Sequence, residues 1–323
     1  AESENWFTER PFDLENEPSL RALYIGTRNE LIVVVHHITV DGWCIAKIID
    51  ELGNFYSSRR ENEPSFLFQD YAFSRAQDVD QTTIDEHVQF WVSQFDGHQD
   101  VPALDMFQKR TTCESRVEVV SLELDSRLVG KLHAIADSLR VSKFILYLSA
   151  YQILLSRYFS ENDVVIGIPV SLRDRAELVD MIGMFVNTVG MRFILNEDMR
   201  IFDLLRGNNG RWKDSIEHHD TPLEKVVEAL RLGKRPLFST LFNFIPEVNF
   251  DEMSNNVVRH VEHRQAKDPG LGFVFEISSA NRCSLQFDTG KWDKVMAERF
   301  LECFSTLIGS LSEATIASRV KEM

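Results

Sequence analysis

Leu31 to Trp43 reads LIVVVHHITVDGW, a run of β-formers closed by two adjacent histidines, an aspartate four residues beyond the second, and then a glycine. Val33, Val34 and Val35 predict a buried strand over Leu31–His36, while Trp43, Ile45, Ile48, Ile49, Leu52, Phe55 and Tyr56 recur at helical spacing and predict a helix over Trp43–Tyr56. A strand-to-helix loop therefore carries the polar residues. Neighbouring residues on a strand point to opposite faces, so His36 and His37 are expected to do different jobs. Histidine suits proton transfer near neutral pH because its unperturbed pKa is about 6.5. Two readings fit this spacing equally: a proton-moving loop pinned by Asp41, or a pair of capping histidines followed by Asp41 as a helix N-cap.

Outward from the loop, strands and helices alternate without internal repeats, which predicts an α/β (α+β) fold. Helical patterns cover Ile84–Phe95, Ser126–Leu139 behind a serine cap, Ser142–Tyr158, Ile201–Glu217, Leu223–Leu230 and Lys291–Leu311. Strands are expected at Arg116–Leu124, at Val164–Pro169 ending on its proline, and at Thr240–Ile245, Phe273–Ile277 and Ser284–Asp288. Ser142–Tyr158 is apolar almost all round, the mark of a buried helix. Residues 97–112 contain Pro102 and little periodicity, so they read as a linker between a domain over 1–112 and another over 113–323. Gly207-Asn208-Asn209-Gly210 lacks the lysine and strand of a phosphate loop and predicts a helix interruption.

Composition narrows the class. A chain of 323 residues, 44% hydrophobic, can bury two ordinary cores, and its 23 phenylalanines are assigned to them. No apolar run is long enough to span a bilayer and no charged-then-apolar leader opens the chain, so a cytoplasmic location without membrane contact is expected. A formal charge of −15 argues against nucleic acid as a partner. Cys44, Cys113, Cys283 and Cys303 have no metal-ligand spacing, which predicts reduced thiols and no metal site; Cys44 adjoins the loop.

The segment His36 to Trp43 resembles the HHxxxDGW signature of nonribosomal peptide synthetase condensation domains, and further matches follow in the family's order. These are Phe68-Gln69-Asp70-Tyr71-Ala72, Ile166 to Arg173, Ile182 to Thr188, His219 to Glu224, and Arg235-Pro236-Leu237-Phe238. The similarity runs from Pro11-Phe12-Asp13-Leu14 to the last helix. It implies two lobes like chloramphenicol acetyltransferase with the loop at the floor of a tunnel between them. In the family an arginine-bearing segment precedes the Pro-Phe-Asp-Leu stretch, so the amino-terminal lobe is expected to be incomplete here, with a further segment or chain completing it.

The resemblance also implies a chemistry: an amide formed between a donor acyl or peptidyl thioester and an acceptor aminoacyl thioester. Both ride on phosphopantetheine arms of carrier proteins, with neighbouring synthetase domains as partners and no tightly bound cofactor. His37 and Gly42 are the catalytic candidates, the first as base or positioner of the amine and the second as a backbone N–H donor. His36, Asp41 and Arg173 are expected to support the loop, Asp41 by pairing with Arg173, and Trp43 and Asn187 to line the tunnel. Epimerisation, stand-alone acyl transfer and a non-catalytic recruitment module remain alternatives on this fold. Heterocyclisation is disfavoured by His36, because that subgroup carries an aspartate there, and recruitment by retention of His37. His218-His219-Asp220 lacks the spaced aspartate and glycine and reads as packing and capping.

Overall fold

The computed structural model describes residues 2–57, 66–78, 80–95, 116–233, 235–245, 272–279, 281–315 and 317–323. It has the mixed helix-and-sheet architecture expected from the sequence. Its Cα positions fall into two compact units that interleave along the chain: residues 1–79 with 171–186 and 248–266, and residues 80–170 with 187–247 and 267–323. The boundary expected at 112 and the linker around it lie outside the described residues. Residues 80–95 cluster with the second unit, and the excursion 171–186 with the first.

The first unit opens with helix α1 (Glu2–Glu9) and an antiparallel hairpin, β1 (Leu20–Ile25) and β2 (Glu30–Val35), in register Leu20 to Val35 and Ile25 to Glu30. Helices α2 (Gly42–Tyr56), α3 (Phe68–Asp78) and the short α7 (Ala176–Val179) complete its described elements. Two expectations are corrected here. Strand β2 stops at Val35, before both histidines, because the His36 carbonyl turns back to accept the Thr39 N–H at 3.1 Å and the Thr39 hydroxyl at 2.9 Å. The valines are also half-buried rather than buried, since among the described residues β1 and β2 form a two-stranded sheet by themselves.

The second unit contains a six-stranded sheet in the order β3-β8-β7-β6-β4-β5: β3 (Val117–Glu123), β4 (Asp163–Ser171), β5 (Val186–Ile194), β6 (Thr240–Ile245), β7 (Phe273–Ser278) and β8 (Arg282–Asp288). The β3/β8 and β7/β8 pairs are antiparallel, and β4/β6 and β6/β7 are parallel. Its helices are α4 (Gln81–Gln94), α5 (Ser126–Leu139), α6 (Lys143–Phe159), α8 (Ile201–Ile216), α9 (Leu223–Ala229) and α10 (Lys294–Ser312). Helix α6 is buried along nearly its whole length, as its all-round apolar sequence requires. Its Tyr151 stacks on Phe275 with centroids 4.7 Å apart, and Phe304 of α10 meets the same ring at 4.7 Å.

Three details differ from expectation. Strand β4 runs through Pro169 to Ser171; its pairing with β6 is confined to Gly167 and Leu241, so the missing N–H of Pro169 costs that pair no bond. Asp125, not Ser126, caps α5, accepting the Arg127 N–H at 2.7 Å and the Leu128 N–H at 3.3 Å. Helix α8 passes uninterrupted through Gly207–Gly210. Asn208 there is buried and donates to Ser149 Oγ at 2.9 Å and Gln152 Oε1 at 2.8 Å, so tertiary hydrogen bonds override the poor helix propensity of the four residues.

Candidate active site

Helix α2 begins where Asp41 ends the loop. Its Oδ1 accepts the Cys44 N–H at 3.1 Å, a side-chain N-cap of the usual geometry. The same carboxylate meets Arg173, whose Nη2 lies 3.1 Å from Oδ1 and 3.0 Å from Oδ2. Capping and ion pairing are thus one arrangement rather than alternatives. Both side chains are withdrawn from solvent, 2% exposed for Asp41 and 5% for Arg173. An isolated charge in that setting would be costly, and here the pair is surrounded by further donors and acceptors.

The Phe185 N–H donates to Asp41 Oδ2 at 3.1 Å, and Arg173 Nη1 donates to the carbonyls of Leu178 and, at 2.8 Å, Met181. The thiol of Cys44 fills the remaining space, 3.1 Å from Asp41 Oδ1 and 3.2 Å from Gly183 O, while its sulfur accepts the Gly183 N–H at 3.3 Å. Burial pushes that thiol above its ordinary pKa, which keeps it protonated and able to donate. Cys44 was distinguishable in sequence only by its position next to the loop.

Three of the ordered sequence matches converge on this ion pair. Phe185 of the Ile182–Thr188 segment lies with its ring centroid 4.2 Å from the guanidinium carbon of Arg173, contributed by the Ile166–Arg173 segment. Phe68 and Tyr71 of the Phe68–Ala72 segment pack on the same ring at 5.0 Å and 4.9 Å. Phe68 also explains Gly183: a Cβ there would lie 2.6 Å from Phe68 Cγ, so only hydrogen fits. The spacing of the motifs records a contact between aromatic rings and a buried cation.

The two histidines separate. His36 is half-buried, donates its N–H to Ser19 O at 2.8 Å and accepts the Ile38 N–H on Nδ1 at 3.1 Å. His37 is exposed on the turn and, among the described residues, has no hydrogen-bond partner. Gly42 is the first residue of α2; its N–H is one of the donors a helix leaves unpaired at its start, and among the described residues nothing accepts it. A Cβ at Gly42 would meet nothing within 4 Å, so the fold itself does not demand glycine there. Trp43 is 54% exposed, with its indole N–H fixed on Val179 O at 2.9 Å.

Asn187 belongs to the second unit, at the start of β5. Its amide donates to His219 O at 2.8 Å and Thr221 O at 2.7 Å, which holds the turn before α9. That leaves its Oδ1 as the group able to meet a ligand. His218 and His219 pack and bond locally: His218 stacks on Phe90 at 3.9 Å and His219 Nδ1 lies 2.6 Å from Ile216 O. Among the described residues no group of three His, Cys, Asp or Glu side chains has metal-binding geometry, Cys44, Cys283 and Cys303 are free thiols, and no helix is long and apolar enough to cross a membrane.

A turn bearing a free imidazole, capped by a buried aspartate–arginine pair, is the local geometry that known proteins can be compared against. The sequence profile of the condensation domain matches residues 2–322. The chain belongs to the condensation-domain family. This condensation domain is 30% identical over 243 residues to tyrocidine synthase 2 of Brevibacillus parabrevis, covering 72% of the chain and 7% of that protein. Across its curated relatives it spans between 4% and 12% of their length. Among solved structures it resembles a four-domain nonribosomal peptide synthetase, holo-AB3403 bound to AMP and glycine, with a TM-score of 0.83 at 18% identity, covering 100% of the chain and 27% of that one. It equally resembles the X-domain of teicoplanin biosynthesis in its complex with OxyB, at TM-score 0.81 and 20% identity, covering 97% of the chain and 74% of that one. At such identities the likeness is one of fold.

Proposed function

We propose that this condensation domain forms an amide bond between a donor acyl or peptidyl thioester and the amine of an acceptor aminoacyl thioester, each delivered on the phosphopantetheine arm of a carrier protein within a synthetase. The observation that carries the reading is the exposed, unengaged imidazole of His37 on a turn whose helix end is locked by Asp41 and Arg173. In the proposed step the neutral amine attacks the thioester carbon, the new C–N bond forms and the C–S bond breaks. The amine proton passes to His37 and from it to the departing pantetheine sulfur, giving amide and free thiol. Holding the amine against the carbon supplies much of the acceleration, and proton transfer adds perhaps 10²–10⁴-fold. The unpaired Gly42 N–H, at the positive end of α2, is placed to take a hydrogen bond from the carbonyl oxygen as charge builds on it. Because a Cβ there meets no protein atom, glycine at 42 is explained by room for the incoming arm.

A second reading, a recruitment module without chemistry, is favoured by the resemblance to an X-domain solved with a bound OxyB. Epimerisation and stand-alone acyl transfer use the same turn and are separated by product. The test loads donor and acceptor carrier proteins, adds the protein and follows both by intact mass. Transfer of the donor acyl group to the acceptor arm supports the proposal. Absence of transfer by the wild type contradicts it, and inversion of the aminoacyl centre without transfer assigns epimerisation.

A further inference from the structure

The Asp41 ion pair holds the helix end of the His37 turn, and a different set of contacts holds its strand end. The Phe12 ring stands perpendicular to the His36 imidazole, with centroids 5.7 Å apart at 88°. Phe12 also carries the guanidinium of Arg21, whose central carbon lies 4.2 Å from its centroid, and Phe7 meets the same cation at 5.6 Å. Arg21 Nη2 donates to the Arg10 carbonyl, but its Nε and Nη1 are buried without a hydrogen-bond partner. Two phenylalanine faces are what this desolvated cation has instead. Phe12 is therefore fixed by a buried charge on one account and braces His36 on the other.

The consequence for the turn follows from the bond that His36 makes. Its Nδ1 accepts the Ile38 N–H, a ring that closes around the backbone of His37. An acceptor Nδ1 carries no proton, so the hydrogen bond assigns the neutral Nε2–H tautomer to His36. We propose that Phe12, held by Arg21, is a positioning residue: it fixes the plane of the His36 ring, keeps Nδ1 on the Ile38 N–H and so sets the direction in which His37 leaves the turn. The inference rests on the reactive role proposed for His37. A ring at 12 is required because leucine supplies bulk but neither a face for the Arg21 cation nor an aromatic partner for the imidazole.

Two readouts test it, one of them independent of activity. In protein with isotopically labelled histidine, long-range nitrogen–proton correlations are expected to show the single Nε2–H tautomer for His36 in the wild type and in Phe12→Tyr, and a mixture of tautomers in Phe12→Leu. With carrier-bound thioesters, Phe12→Leu is expected to lower kcat about tenfold with KM unchanged, within the range a small misplacement produces. Phe12→Tyr restores kcat, and Arg21→Met shifts both readouts in the same direction by less. A Phe12→Leu protein that keeps the wild-type tautomer and the wild-type kcat overturns the proposal. If wild type transfers nothing, the amide-forming reading fails and the tautomer readout alone decides the role of Phe12. Should Phe12→Leu not fold, Arg21→Met carries both measurements, and unchanged values there are the contradicting result.

Discussion

In the second unit the largest fully buried side chains include Tyr151, Phe242, Phe275, Phe300 and Phe304, whereas the deepest side chains around the loop of the first are Asp41, 2% exposed, and Cys44 beside it. Phe55 and Tyr56, on α2 of that first unit, are 80% exposed. One unit places its aromatic rings inside; the other spends buried space on an ion pair and hydrogen bonds. Aromatic packing is non-directional and stabilises by area. A carboxylate held by an arginine, two backbone N–H groups and a thiol fixes direction instead, and direction is what a reacting imidazole needs.

Substitutions that exchange these chemistries break the comparison most sharply. Asp41→Ala leaves Arg173 buried without its anion and is expected to cost about 3–5 kcal/mol in chemical denaturation, as for other broken buried pairs. Replacing both partners, Asp41→Leu with Arg173→Met, recovers most of that stability but not activity, if the pair serves direction. Full recovery of both would reduce it to filler. Phe304→Ala, in the apolar core, is expected to cost about 3–5 kcal/mol through the cavity it opens, while the His37 turn keeps its kcat in whatever fraction remains folded. A selective loss of kcat in that variant would show that the two regions are not separable in this way.

The glycines refine the contrast within the first unit. Gly183→Ala drives a methyl into Phe68 and is expected to cost about 1–3 kcal/mol. Gly42→Ala meets open space, so its melting temperature should match the wild type while transfer falls. Equal activity for Gly42→Ala would remove the reason given for that glycine.

The smallest effect concerns His218 in the second unit. Burial, and then the neighbouring His87, push its imidazole below the usual value. The unfolded chain takes up that proton near pH ~6.5 and the folded chain only at lower pH. Stability is therefore complete above the unfolded value and is lost as pH falls through the folded one. The melting temperature should decline on acidification, and His218→Gln should flatten the decline; an unchanged slope would assign it to other groups.

Periodicity made α2, α6 and most strands legible, since their apolar residues follow a single buried face. It could not show that β2 ends before His36, because a turn closed by Thr39 has no periodic signal. Strand β5 was hidden by Asn187 and Gly190, although Gly190 is explained by Leu237, whose Cδ2 would lie 2.8 Å from an added Cβ. The pairing of Asp41 with Arg173, 132 residues apart, was expected from family resemblance alone. Phe68, Gly183 and Phe185 were visible as motifs, yet their common purpose is a three-dimensional packing against Arg173 that spacing does not encode. Asn208 misled because its helix is secured by Ser149 and Gln152, which lie on another helix.

The central claim is that His37 does the chemistry on a turn whose shape is maintained by other residues. The most direct measurement compares His37→Ala with the wild type in the intact-mass transfer assay, with melting temperatures recorded on the same samples. The account predicts an unchanged melting temperature, since the side chain is exposed and unbonded, and a transfer rate lower by about 10²–10⁴-fold. Transfer by His37→Ala at the wild-type rate would contradict it.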